Sequence, residues 1–416
     1  MSSKQFRLTA VALALIGAGA ACAADFEFTG YSRAGVGVNT KGGKQVCYGL
    51  AGADTKWRLG NECDYVIEPS LVATVAKSDE YGVWKAHFMP SAYRAWGQSE
   101  FDNYDESGSG SYEGTDELVT RFGQVYFYGE LPQLNGGRVW AGRRFYDRVQ
   151  LGINDQFLEN HDSDGAGIED VNFGFAKFSY AFLSNPRAGS VPKDAASNSS
   201  ANSIDYEHAL RLTGIKTIAN SELAIYTGFS STATSENQLT GVEPDDKKSG
   251  QRLGLYHVTK GTLGGATFIG FKYDRHMGAD RQWRVVAQQQ GLVPSLKTAW
   301  DAIAEYRTKK NDGVEEKWYS IGGRTDTQIS GPFRFLAELG HDQVKPEGGD
   351  TQNLTKFTLA VAASAGPNHT SRPTVRLFMT HARWNDAAKF STVGVREVYG
   401  DKKSGTSFGI QGEAWW

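Results

Sequence analysis

The sequence predicts an all-β protein and, within that class, a transmembrane antiparallel β-barrel. Three observations carry the reading: a composition suited to strands, apolar residues recurring at every second position, and such segments continuing to the last residue. Glycine numbers 49, proline only 11, and rings make up 12% of the 416 residues, a mix that favours strands and tight turns over helix bundles. Formal charge is −3 and the basic residues are not clustered along the chain. That distribution gives no electrostatic footprint for nucleic acid or for an anionic lipid surface.

The first 24 residues, with Lys4 and Arg7 before the apolar run Leu8–Ala18 and small residues up to Ala24, form a secretory leader. The run is shorter than the ~20 apolar residues a spanning helix needs. Residues 25–416 then form one domain. They keep two cysteines, Cys47 and Cys63, and in an exported, oxidising setting these are expected to pair, the alternative being two buried thiols. A bridge closing about 15 residues contributes roughly 3 kcal/mol in the chain-entropy picture, enough to pin one loop.

Alternation is clearest in three places. In "DFEFTGYSRAGVGVN" one parity holds Phe26, Phe28, Ala34, Val36 and Val38, and the other Glu27, Thr29, Tyr31 and Arg33. In "RLGNECDYVIEPSLVATV" the parity of Leu59, Cys63, Tyr65, Ile67 and Leu71 is apolar, opposite Arg58, Glu62, Asp64, Val66 and Glu68. At the terminus Phe408, Ile410, Ala414 and Trp416 share one face, and Gln411, Glu413 and Trp415 the other. A β-sandwich would bury such apolar faces against a second sheet, whereas a barrel turns them to lipid around a wet bore. Carboxylates and guanidinium groups on the glycine- and ring-bearing faces favour the barrel. About 390 mature residues at roughly 22 per strand and connection give about 18 strands. Polar stretches such as "DNYDESGSGSYEGTDE", "SNPRAGSVPKDAASNSSANS", "VEPDDKKSGQ" and "KPEGGDTQN" read as loops, and 297–308, "KTAWDAIAEYRT", as a short helix.

Catalytic signatures are missing: there is no H-E-x-x-H, paired C-x-x-C, phosphate-binding lysine loop or G-x-S-x-G elbow. Asp162 and Asp164 precede a glycine without the later ligands of a calcium loop and read as an acidic turn. No cofactor or metal is expected, and an enzyme is not.

Six segments, "GYSRAGVG", "RLGNECD", "WAGRRFYDR" (140–148), "GAGIEDVNFGFAKFS" (165–179), "SRPTVRLFMTHARWND" (371–386) and the final "EAWW", resemble the maltoporins, sugar-selective outer-membrane channels, in the family's order across the whole mature chain. The resemblance implies an 18-stranded homotrimeric barrel in the bacterial outer membrane, with a third loop, roughly 148–167, folded inward as the constriction. It implies maltose and maltodextrins as passengers, gliding over an aromatic slide while a polar track exchanges hydrogen bonds with their hydroxyls. On this chain the slide positions hold Tyr31, Phe101, Phe157 and Trp415; the remaining ones read Val66, Thr370 and, nearby, Gly265. Tyr65 is one step from Val66 and so faces the other way. The polar track carries over as Arg33, Arg58, Glu68, Arg121, Arg148 and Asp155. Trp416, on the apolar parity, suits an interfacial girdle. Alternative functions are a porin for another oligosaccharide, a general diffusion pore, and a secreted β-sandwich lectin or glycosidase.

Overall fold

The computed structural model describes residues 25–95, 121–184, 203–234, 249–275, 281–311, 313–389, 392 and 395–416. The leader and Phe101 lie outside the described residues. The wall begins with β1 (Phe26–Asn39), β2 (Asp64–Ser78), β3 (Gly82–Ala95), β4 (Arg121–Glu130) and β5 (Arg138–Arg144). A small hairpin follows, β6 (Val149–Leu151) and β7 (Gln156–Glu159), and the wall resumes with β8 (Ser163–Asn172), β9 (Lys177–Ser184), β10 (Ser203–Lys216) and β11 (Ser221–Thr234). It continues through β12 (Ser249–Thr262), β13 (Gly265–Arg275), β14 (Arg281–Val293), β15 (Thr298–Asn311) and β16 (Val314–Ser330). The last strands are β17 (Phe333–Pro346), β18 (Gln352–Ser364), β19 (Thr374–Trp384) and β20 (Ser404–Trp415). Leaving out the hairpin, they form one 18-stranded antiparallel sheet in which β1 pairs with β2 on one side and β20 on the other. The sheet is therefore closed, every wall strand has two partners, and the sandwich alternative falls away.

Connections are tight at one end, as in β12 to β13 and β16 to β17, and long at the other, as in residues 40–63 and 145–162. Outer-membrane barrels place short turns in the periplasm and long loops outside, which orients the molecule. Segment 297–308 is not a helix. It is most of β15, where Trp300 and Tyr306 share the outward parity while Ala299, Ile303, Glu305 and Arg307 are buried inward; two-sided alternation overrides a run of good helix formers. Likewise Ser249–Gln251 of the loop-like "VEPDDKKSGQ" opens β12.

Outward faces carry the exposed apolar residues Phe26, Phe28, Val36, Val38, Ile321, Leu339, Leu377, Phe408 and Ile410, as alternation required. Trp416 lies against Phe28 on this face, ring centroids 5.7 Å apart.

Two loops fill part of the bore. The first, residues 40–63, is closed by the Cys47–Cys63 disulfide and crosses to the far wall. Its Trp57 lies over Gly340 and Gly322, where a β-carbon would stand 2.1 and 2.4 Å from the indole; only glycine admits this approach. Trp57 Nε1 donates to Asp342 at 3.0 Å, and Lys356 donates to the carbonyls of Trp57 (2.5 Å) and Leu59 (2.7 Å). Leu59 is consequently buried with Leu336, Ala360 and Phe378 inside the barrel. The outward parity expected for Leu59 fails because β2 starts only at Asp64, so alternation does not reach back that far.

The third loop enters as the β6–β7 hairpin, whose Leu151, Ile153 and Leu158 pack with Trp57, Tyr256, Val286 and Ile303. Each such buried side chain contributes about 1.5–3 kcal/mol. The inserted segment is shorter than the expected 148–167: from Ser163 the chain is wall strand, with Ser163 opposite Arg144 and Gly167 opposite Trp140.

Candidate functional site

Loops one and three meet through backbone bonds, Lys56 N–H to the Asn154 carbonyl (3.1 Å) and Arg58 N–H to that of Ile153 (3.2 Å). This contact delivers Arg58 and Asp155 to one place, with Arg58 Nε 3.9 Å and Lys56 Nζ 3.3 Å from the Asp155 carboxylate. Arg58 Nε also donates to Glu62 at 2.8 Å. From the wall, Arg33 bonds Glu62 and donates to Asp64 at 2.7 Å. The Tyr31 hydroxyl donates to Glu413 at 3.1 Å and accepts from Arg33 at 3.1 Å and Arg58 at 3.4 Å. Within loop one, Arg58, Arg33 and Lys56 hold the Glu62 carboxyl below the usual carboxylate range although burial pushes it up. Charge-assisted bonds at these distances are strong, and their buried members are costly to leave unpaired.

Glu413 is the hub on the periplasmic side. It accepts from Arg372 Nε at 2.9 Å, bonds Arg376, and stands 3.6 Å from Arg58. Arg372 lies 3.9 Å over the Trp415 ring, so a guanidinium covers one indole face. Around this group opens a cavity of about 630 Å³ lined by Arg58, Arg324, Arg334, Asp301, Thr370 and Trp415 among others, with Gly265 also in its wall. Two of the three ring-less slide positions thus border the same space as Trp415. Val66 faces inward on β2, directly opposite Arg33 in register.

The other expected residues are dispersed. Phe157 is half-buried in the hairpin with Arg148 5.3 Å above its ring. Arg148 pairs with Asp162, its Nε 2.8 Å from the carboxylate, so the acidic turn serves as a counter-charge. Glu68 accepts from Ser91 at 3.2 Å, away from the main cluster. Arg121 opens β4 opposite Ser91.

A second buried network, which sequence reading missed, moors the hairpin to the wall. Glu159 accepts from Tyr256 (2.6 Å), Lys272 (3.2 Å) and Arg252 (3.2 Å) and bonds His161 at 2.8 Å. Against the opposing effect of burial, Lys272, His161 and Arg252 keep the Glu159 carboxyl well below its ordinary range. Burial and Arg252 press the His161 imidazole down, but bonding to Glu159 and Glu207 leaves it raised. The signal available in the sequence was weak: Arg252, Glu207 and Lys272 alternate with apolar residues, yet the partners that join them come from the inserted segment, Glu159 for Arg252 and Lys272 and His161 for Glu207.

The sequence profile of the LamB porin family matches residues 26–416. The chain belongs to the LamB porin family. Its fold is also similar to that of a BenF-like porin from Pseudomonas fluorescens Pf-5, with 10% identity, TM-score 0.52, and coverage of 94% of this chain and 99% of that one. OccAB2 of Acinetobacter baumannii is comparable, with 9% identity, TM-score 0.50, and coverage of 94% and 98%. Family and barrel together make this LamB-family porin an outer-membrane channel, not an enzyme.

Proposed function

We propose that this porin conducts maltose and maltodextrins by facilitated diffusion, as a homotrimer exported by a cleaved leader. The observation that carries the reading is the lumenal group of Tyr31, Arg33, Arg58, Glu62 and Glu413, held within hydrogen-bond reach across three chain segments, with Trp415 beside it under Arg372. Guanidinium forks and carboxylates exchange hydrogen bonds with a hydroxyl rim, and an indole offers its face to pyranose C–H groups. Weak, repeated contacts of this kind let a passenger leave as readily as it enters. Phe157 and Arg148 extend the set at the hairpin, and Phe101 supplies a further ring at the slide position it occupies in sequence.

A second reading, a porin for a shorter or different oligosaccharide, is favoured by Val66, Gly265 and Thr370, which leave stacking positions bare, and by Arg372 on Trp415. Liposome swelling with maltose, sucrose and longer dextrins distinguishes them. The first predicts uptake of maltose and maltotriose above that of size-matched sugars; equal rates for sugars of equal size would reduce the protein to a diffusion pore.

A further inference from the structure

The outer surface carries an ordered set of side chains that sugar passage does not use. On the loop-side rim of β13 to β17 the outward parity reads Arg275, Arg281, Lys310, Lys317 and Lys345. Register sets Arg275 directly opposite Arg281, Arg281 opposite Lys310, and Lys317 opposite Lys345. Like charges directly opposite each other destabilise a strand pair, so this succession calls for counter-charge from outside the sheet. The described residues supply little: Glu315 stands opposite Lys310 and pairs with Lys317 at 3.0 Å, and Glu347 accepts the Glu315 N–H at 2.8 Å. Lys345 Nζ donates to the Gly349 carbonyl at 2.6 Å. A cavity of about 310 Å³ opens among Lys310, Glu315, Lys317, Lys345 and Glu347.

The height of this row is fixed by its neighbours. Toward the membrane, on the same outward face, come the contacting rings of Trp283, Tyr306 and Tyr319, with centroids 5.0 and 4.6 Å apart, and beyond them exposed Val285, Ile321 and Leu339. Rings mark the interface and aliphatic residues the hydrocarbon, which leaves the cations level with headgroups of the outer leaflet. We propose that this rim binds a phosphorylated glycolipid of that leaflet, its phosphates among Arg281, Lys310, Lys317 and Lys345 and its acyl chains along the apolar strip. The five basic residues are scattered over seventy positions of sequence, which is why the chain showed no anionic-lipid footprint until register assembled one.

The test titrates the purified full-length protein in detergent with diphosphoryl lipid A, with the same lipid enzymatically dephosphorylated, and with inorganic phosphate, read by native mass spectrometry and tryptophan fluorescence. Diphosphoryl lipid A is expected to bind saturably, K310Q/K317Q/K345Q to weaken it about a hundredfold, and K310R/K317R/K345R to retain it. Unchanged ion conductance shows that both variants are folded barrels. Equal affinity for the dephosphorylated lipid, equal affinity for inorganic phosphate, or an unaffected glutamine variant would each overturn the proposal.

Discussion

The constriction and the periplasmic vestibule lie in one bore but are built on different physics. At the constriction the groups that moor the loops are buried and answered: Trp57 sits on a glycine floor, Asp342 and Lys356 hold the loop that carries it, and Glu159 collects four donors. In the vestibule, side chains border open space and two slide positions have no ring at all. Changes at the first should therefore be felt as stability and pore size. Changes at the second should be felt as sugar affinity, with the barrel untouched.

The largest expected effect is that of W57A. Removing an indole buried to 2% exposure costs about 3–5 kcal/mol, frees loop one from β16 and β17, and should raise single-channel conductance while lowering the thermal midpoint. Equal conductance and stability would erase the distinction between the two regions. E159Q comes close behind, because it leaves Lys272 without its buried counter-charge and Arg252 and His161 with Glu207 as their nearest remaining carboxylate, at a cost of about 3–5 kcal/mol; the expected readouts are noisier open-channel current and a lower melting temperature.

The same mooring sets a pH profile. Glu159 is lowered in the fold, so its contribution is present above its unfolded value of about 4.3 and is lost as pH falls through the lowered one. His161 is raised, so its contribution is full below about 6.5 and is lost as pH rises through its folded value. Melting temperature should be highest between roughly pH 4.3 and 6.5, and H161Q should remove the alkaline limb while only softening the acid one, since Lys272 and Arg252 still lower Glu159. Reducing the Cys47–Cys63 bond should cost about 3 kcal/mol, the value for a loop of its span, measured as a lower midpoint with reductant.

The smallest effect belongs to the vestibule. T370W restores a ring beside Trp415 and should tighten maltodextrin binding roughly three- to tenfold, an aromatic contact contributing about 0.5–1.5 kcal/mol, with melting temperature unchanged. No gain in affinity would mean that the vestibule is not on the sugar's path.

Legibility followed the same division. Closure, strand number, outward parity and the pairing of Cys47 with Cys63 could all be read because period-two alternation and an exported setting are local facts. So could the inward side of Tyr31, Arg33, Glu413 and Trp415, which lie on regular strands. Loop one defeats the same rule: alternation gives Arg58, Leu59 and Glu62 the faces of a strand that does not begin until Asp64. Segment 297–308 reads as a helix because its alanines and charges suit one; only its burial pattern in β15 separates the two. Trp57, Glu159, Lys356 and Arg372 are invisible to alternation, since the first three act through partners far away in sequence and Arg372 through a turn that lays it over Trp415.

Planar-bilayer recording of the purified protein during titration with maltohexaose tests the central claim most directly. A wet bore narrowed by loops one and three, with an incomplete set of rings, predicts stepwise ion conductance that sugar blocks reversibly, and more tightly after T370W. Conductance indifferent to sugar in both proteins would contradict it, as would wild-type block already so strong that an added ring changes nothing.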